Sequence, residues 1–277
     1  MPLIVVPTPI GNLEDMTLRG IKALQEADIV ACEDTRHTLR LLNHLGLNKQ
    51  LISCHEHNET ERVETLIKRI KSGETVALVS DAGTPGLSDP GSVIIRAVLE
   101  RGLPIDVLPG ANALLPALLL SGMEMDSFLF VGFLKGKTKD KRLKLSEVAE
   151  IKETLVFYVS PHKILKELAL MGEVLGDRKA TLVKEISKIH QETFKGTLHS
   201  FDKILPEEKI RGEFVCIVEG NTQEEVEDEN SWKLEAETML KRGDSTKDIA
   251  NSIAMKYSIP RNRVKRHILE VSGEEDN

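Results

Sequence analysis

The sequence predicts an α/β protein: two α/β domains in succession, followed by a small helical extension. Three observations predict it. Short β-branched runs alternate with amphipathic segments from the amino terminus to about Leu120, the pattern of a mostly parallel sheet. Nearly every such run leads into a loop rich in glycine, proline or acidic residues. Near "SFLFVGFLKGKTKDK", residues 127–141, the composition changes and helices become scarcer relative to strands, which points to a second, mixed or antiparallel sheet.

The elements follow in order. "LIVV" is a short strand, Thr17 caps a helix carrying Leu18, Ile21 and Leu24, and "DIVAC" is a second strand. Helices are expected at Thr38 to Leu45, stopped by Gly46, and at Glu59 to Ser72, stopped by Gly73. The second of these has Asn58 and Glu61 at N-cap and N3 spacing, and Val63, Leu66, Ile67 and Ile70 along one face. Asp89-Pro90 reads as an N-cap followed by proline at the first helical position, with Gly102 closing that helix. "PIDVLPG" is another strand running into a turn, and Leu114 to Leu120 is a buried helix.

Beyond the composition change, strands are expected at Thr154 to Val159, Ala180 to Glu185, Glu192 to Leu198 and Glu213 to Val218, with a helix at Lys163 to Leu175. "EEVEDEN" is an acidic linker. "STKDIANSIAMKYSIPRNRVKRHILE" places Ile249, Ile253, Val264 and Ile268 on two short helices separated by "YSIP", which resembles a helix-turn-helix. The boundaries that result are 1–122 and 123–220 for the α/β domains, 221–231 for the linker and 232–277 for the extension. A length of 277 residues agrees with more than one core, since domains cluster near ~100–150 residues.

Composition narrows the class. With 40% hydrophobic and 29% charged residues the chain is an ordinary globular protein. Cys32, Cys54 and Cys216 are odd in number and widely spaced, which favours reduced core residues in a cytoplasm over disulfides or zinc. No apolar run nears the ~18 residues needed to cross a bilayer, so no membrane partner is expected. A net charge of -7 argues against a generic nucleic-acid coat. Positive charge is nevertheless concentrated in "KGKTKDKRLK" (Lys135 to Lys144) and in Lys256, Arg261, Arg263, Lys265 and Arg266, either as solvated surface or as local fields felt by a partner.

Ligands of a parallel sheet bind where the loops at the strands' carboxyl ends converge. Those loops are "PTPIGN", "EDTRH", "CHEHNE", "DAGTPGLSDPG" and "PGANA". Glycine and proline without bulky side chains let backbone groups approach a ligand closely. There is no G-x-x-x-x-G-K-[ST], no G-x-S-x-G and no strand-bound G-x-G-x-x-G, which sets aside P-loop, nucleophile-elbow and dinucleotide chemistry. "HEH" lacks the helical spacing of H-E-x-x-H, and no metal is expected. "EDTRH" gathers Glu33, Asp34, Arg36 and His37, either as site residues or as a salt-bridged helix start capped by Asp34 or Thr35.

The motifs "VPTPIGNLEDMTLRG", "EDTRHTLRLL", "HEHNE", "VSDAGTPGLSDPG", "LPGANA", "FYVSPHK", "KEISKIHQETFKGTL" and "GEFVCIVEG" together resemble the ribosomal small-subunit methyltransferase I family, a branch of the tetrapyrrole methylase superfamily. The resemblance runs from Leu3 to about Gly220, and the tail from Trp232 to Glu270 resembles an extension found in part of that family. It implies two α/β domains of the tetrapyrrole methylase type, non-Rossmann and class III, with S-adenosylmethionine between them. It further implies a homodimer and methylation of the ribose 2'-hydroxyl of one cytidine in the decoding region of 16S rRNA, within the 30S subunit.

On that resemblance Ile10, Ser80, Asp81, Ala82, Gly83, Thr84, Pro85, Asn112, Ala113, Val159 and Phe214 are the cofactor residues, with Ser88 to Gly91 serving mainly as the next helix's cap. Glu33, Asp34 and Glu185 are alternative general bases. Arg36, His37, Lys137, Lys139, Lys141, Lys163, Lys184 and Lys188 are the candidate RNA contacts. Lys163 stands where the family usually has arginine, keeping charge but losing the planar fork. Two other functions share parts of this pattern: a small-molecule (tetrapyrrole) methylase on the same fold, and a ligand-sensing nucleic-acid-binding regulator.

Overall fold

The computed structural model describes residues 2–55, 58–222, 229–257 and 259–272, and the chain forms two compact units, Met1–Asn221 and Thr222–Asn277. Glu56 and His57 of "CHEHNE", and residues 223–228 of the acidic linker, lie outside the described residues.

In the first unit β1 (Leu3–Val5), β2 (Ile29–Cys32), β3 (Gln50–Ser53), β4 (Val76–Leu78) and β5 (Ile105–Val107) form an all-parallel sheet in the order β3-β2-β4-β1-β5. The crossovers are α1 (Leu18–Glu26), α2 (Thr35–His44), α3 (Glu59–Lys71) and α4 (Ser92–Glu100). Leu3, Val5, Ile29 and Leu78 pack against Leu66 and Ile67 of α3 and Ile94 and Val98 of α4. Val6, Val30, Cys32 and Ala77 pack on the opposite side with Leu24 of α1 and Leu42 of α2. Both faces are covered, which is why β1, β2 and β4 are unbroken apolar runs.

The chain leaves β1 toward β2 on one side and β4 toward β5 on the other, so the crevice for a ligand opens at the carboxyl ends of these two neighbours. There Thr8 and Gly83 exchange two backbone hydrogen bonds of 2.9 Å, which pin the first and fourth loops together. Gly83 takes φ +80°, a region that disfavours any residue with a Cβ.

Helix ends are partly as the sequence predicts. Thr17 caps α1 by accepting from the Gly20 N–H at 3.0 Å. Gly102 (φ +62°) closes α4 in a Schellman motif, its N–H donating to Leu99 and that of Leu103 to Val98. The capping box expected at Asn58 and Glu61 does not form. The Asn58 side chain turns back instead, accepting from the His55 N–H at 2.8 Å and donating to the Ser53 carbonyl at 3.3 Å. Asp89-Pro90 likewise does not start α4, which begins at Ser92 after Gly91. The buried Glu59 carboxylate of α3 does the capping, accepting from the N–H groups of Gly91, Val93 and Ile94 at 3.0, 2.8 and 3.2 Å. One carboxylate thereby satisfies several of the orphan amides and the positive end of the helix dipole.

The second sheet is mixed. β6 (Phe128–Phe133), β7 (Thr154–Val159), β8 (Lys179–Lys184), β9 (Glu192–Thr197) and β10 (Phe214–Val218) lie in the order β6-β7-β10-β8-β9, with β6 and β7 parallel and the other pairs antiparallel. Its helices are α5 (Leu114–Ser121), α6 (Thr138–Glu147), α7 (Ile164–Leu175) and α8 (Phe201–Ile204). Leu145 of α6, Leu168 of α7 and Phe201 of α8 pack with Phe157, Leu182 and Cys216 on one face. Leu114, Ala117 and Leu118 of α5 pack with Val156, Val183 and Val215 on the other. α5 therefore follows the first sheet in sequence yet shields the second. β6 carries a bulge between Phe130 and Gly132, and a Cβ on Gly132 would lie 3.2 Å from Ser88 Oγ.

The three cysteines are free and buried, with the Cys54 and Cys216 thiols pushed up to about 12 by burial. Among the described residues no helix is long and apolar enough to cross a membrane.

The described residues of the second unit form three helices, α9 (Glu229–Lys241), α10 (Thr246–Tyr257) and α11 (Arg261–Ser272). Ile249 and Ile253 pack with Val264 and Ile268, as their spacing predicts. Trp232 and Ala236 of α9 complete the cluster, with the Trp232 ring edge-on to His267 at 5.2 Å.

Candidate active site

A cavity of about 440 Å³ opens at the carboxyl ends of β1 and β4. Ile10 lines it from the loop after β1, Glu33 from the loop after β2, and Asp81, Ala82, Gly83 and Thr84 from the loop after β4. Asn112 and Ala113 come from the loop after β5. The opposite wall is the second sheet: Val159 at the end of β7 and Phe214 at the start of β10, which sit in register across the antiparallel ladder. The volume falls in the ~300–1,000 Å³ range usual for small-ligand sites, and the wall mixes apolar surface with a few polar groups.

Two of the expected cofactor residues lie behind the wall. Ser80 is buried and shapes the loop, its hydroxyl donating toward the Gly83 carbonyl at 3.2 Å while its own carbonyl accepts from Thr8 Oγ1 at 3.0 Å. Pro85 is buried beneath Gly91. Thr84 spends its hydroxyl on the Ala111 carbonyl at 3.0 Å, and Asn112 accepts from the Leu115 N–H at 3.0 Å, so both set loop geometry as well as lining the cavity.

The candidate bases separate. Glu33 lines the cavity. Asp34 caps α2, accepting from the Arg36 N–H at 2.8 Å, and its carboxylate grips the Arg36 guanidinium with contacts of 3.1 and 2.7 Å. Those hydrogen bonds hold its carboxyl down at about 2, too weak a base for a hydroxyl proton. The salt-bridged helix start is therefore what Asp34 and Arg36 form. Glu185 does not line the cavity: at φ +51° it accepts from Lys188 Nζ and the Glu213 N–H, both at 2.9 Å. The Lys188 ammonium and the Glu213 N–H outweigh partial burial and keep its carboxyl low.

The candidate RNA contacts separate too. Arg36, His37, Lys137, Lys139 and Lys163 are exposed. Lys188 is held between Glu185 and Glu213, each at 2.9 Å. Lys141 and Lys184 correct the expectation. The basic run is helix α6, whose Lys141 falls on the same face as Leu145 and is buried in an ion pair with Glu167. Lys184 ends β8, a strand covered on both faces, and is 3% exposed.

Sequence reasoning missed Asp89, Tyr158 and Glu213, all of which line the cavity. Phe130 and Phe133 stand edge-on to the Tyr158 ring at 5.1 and 5.4 Å, fixing the second sheet's side of the wall. Asp89 is the consequential omission. Burial, then the negative charges of Glu33, Asp81 and Glu213, push its carboxyl up to about 7. The signal was its place between Gly86 and Gly91 in one of the five loops at the strands' carboxyl ends, where ligands bind.

The fold is that of a known class. Residues 2–202 match the family of Tetrapyrrole (Corrin/Porphyrin) Methylases. Ribosomal RNA small subunit methyltransferase I of Bacillus subtilis is 40% identical over 95% of this chain and 92% of its own length, and that of Escherichia coli O157:H7 is 38% identical over 98% and 96%. The methyltransferase CobJ shares the fold with a TM-score of 0.61 at 19% identity, covering 81% of this chain and 96% of CobJ. A uroporphyrin-III C-methyl transferase from Thermus thermophilus, solved in complex with S-adenyl homocysteine, does so with a TM-score of 0.55 at 19% identity, covering 79% and 97%. The chain belongs to the tetrapyrrole methylase family and, within it, to the ribosomal RNA small subunit methyltransferase I group.

Proposed function

We infer that this protein uses S-adenosylmethionine to methylate small-subunit ribosomal RNA, at the ribose 2'-hydroxyl of a cytidine in the decoding region. The observation that carries the reading is the cavity in which glycine-loop backbone, apolar wall and carboxylates meet. The names borne by relatives at 36–45% identity support the RNA substrate.

The residues present fit the cofactor. Ile10, Val159, Phe214 and Val215 offer apolar surface for an adenine, and the backbone N–H groups of Ala82 and Thr84 offer donors at close range. Glu33, Asp81 and Asp89 supply negative charge suited to a cation. When bound, S-adenosylmethionine supplies an electrophilic methyl on a sulfonium. Glu59 and the Thr8–Gly83 bridge hold the loops so that the carboxylates face the cavity. Arg36, His37, Lys137, Lys139 and Lys163 are exposed cations and donors for RNA phosphates. The reading includes a homodimer acting on the 30S subunit in the cytoplasm, with the body divided functionally at 122.

The test is methyl transfer from labelled S-adenosylmethionine to three acceptors: small subunits lacking the modification, free 16S rRNA, and a porphyrinogen. Label in the ribosomal RNA supports the reading. Label in the porphyrinogen alone overturns it.

A further inference from the structure

Four carboxylates border the cavity, and three of them have partners. Asp81 Oδ1 accepts from the Asp34 N–H at 3.0 Å, Glu213 Oε2 pairs with Lys188 at 2.9 Å, and Glu33 too has a partner. Among the described residues no hydrogen bond or ion pair engages the Asp89 carboxylate. The local sequence would normally prevent that, because an aspartate just before a helix caps it. Here Glu59, from another helix, takes the Gly91 amide, which lies within capping reach of Asp89, together with those of Val93 and Ile94. The loop also bends to turn Asp89 away from α4. Gly86 and Gly91 take φ +83° and +126°, and Ser88 takes φ +68°, a conformation costly for a residue with a Cβ. Gly132, at the bulge of β6, leaves space for the Ser88 side chain. Strain, a substitute cap and a bulge in the facing strand thus converge on one outcome, an unengaged carboxylate turned to the cavity.

We propose that Asp89 is the general base of the methyl transfer, a proposal that rests on the function inferred above. The hydroxyl oxygen forms its bond to the methyl carbon as the carbon–sulfur bond breaks. The bonding electron pair stays on sulfur, and the hydroxyl proton passes to a carboxylate oxygen of Asp89, which later releases it to solvent. A base whose carboxyl titrates near neutrality suits this work, being half ionised at working pH yet basic enough to draw the proton. The groups facing Asp89 are Glu33 from the loop after β2, Asp81 from the loop after β4, Tyr158 of β7 and Glu213 beside β10. All three acids favour its protonated form, while the positive sulfonium favours the carboxylate.

That opposition gives a readout independent of turnover. A nearby opposite charge lowers a carboxyl by roughly 1–3 units. Calorimetry should therefore show the affinity for S-adenosylmethionine, divided by that for its uncharged thioether product, rising about tenfold or more between pH 5.5 and 8.5. In Asp89→Asn the ratio should be flat. Turnover of small subunits by the unmodified protein should climb to a plateau above neutral pH. Asp89→Asn should lose that limb and fall roughly 10²- to 10⁴-fold, and Asp89→Glu should restore part of the activity with a shifted limb. A flat affinity ratio in the unmodified protein, or Asp89→Asn turning over like it with the same pH profile, overturns the proposal and leaves the function standing. No transfer to ribosomal RNA by the unmodified protein overturns both.

Discussion

The carboxylate of Asp81 accepts a hydrogen bond from the backbone N–H of Asp34 at 3.0 Å, which ties the loop after β4 to the start of α2 across the cavity's edge. Asp81→Ala removes both that tie and a cavity-facing negative charge. The lost negative charge no longer favours the cationic sulfonium, so calorimetric titration should show S-adenosylmethionine affinity lowered by about tenfold or more. Association with small subunits, followed by sedimentation, should persist. Unchanged cofactor affinity would contradict the placement of the ligand.

Lys137 and Lys139 lie exposed at the start of α6, away from the cavity. Replacing both by alanine removes two potential phosphate contacts, which should lower the salt slope of log affinity for small subunits by up to ~1.4 for single-stranded contacts. Cofactor affinity should stay constant. Loss of cofactor binding in the folded variant would contradict the separation of RNA capture from the cavity.

Lys141 belongs to a different category although it sits in the same basic run. Its partner Glu167 is equally buried, so Lys141→Ala leaves a lone buried charge and should cost about 3–5 kcal/mol in urea unfolding. The double variant Lys141→Met, Glu167→Leu should regain most of that loss, since replacing both partners avoids desolvating either charge. A stable Lys141→Ala would show that the pair is not buried in solution.

Asp89 makes stability depend on pH. Its carboxyl ionises at about 7 in the folded chain against an ordinary 3.8, so the folded state binds the extra proton between those values and loses stability as pH rises through them. The cost is absent below about pH 4 and complete above about 7. Because Asp89 keeps substantial contact with solvent, screening reduces it to about 1–2 kcal/mol. Asp89→Asn should match the unmodified protein in urea unfolding at pH 4 and exceed it by that amount at pH 8. A difference that does not grow with pH would contradict the carboxyl's raised ionisation.

What the sequence revealed and what it hid follow from range of interaction. Strand β7 covers Thr154 to Val159 as read, and the five glycine and acid-rich loops stand at the ends of β1 to β5, because apolar runs and turn residues are local signals. Asp89 was mistaken for a cap because its competitor, Glu59, lies on a different helix and reaches α4 only through the tertiary fold. Lys184 was mistaken for a surface cation because β8 is covered on both faces, where alternation carries no information about exposure. The burial of Lys141 was legible: Leu145 of α6 and Val148 at its C-cap follow it at i+4 and i+7, one helical face. Helix α9 was hidden by acidic composition, although Trp232 and Ala236 carry its buried side.

The most direct measurement is the chemical position of the transferred methyl. Small subunits lacking the modification are incubated with the purified protein and labelled S-adenosylmethionine, a decoding-region RNA fragment is isolated, and its nucleosides are resolved by chromatography and fragmented to show whether base or ribose carries the label. The account predicts label in 2'-O-methylcytidine from a single decoding-region nucleotide. Label on a base carbon or nitrogen, with none on ribose oxygen, would contradict it.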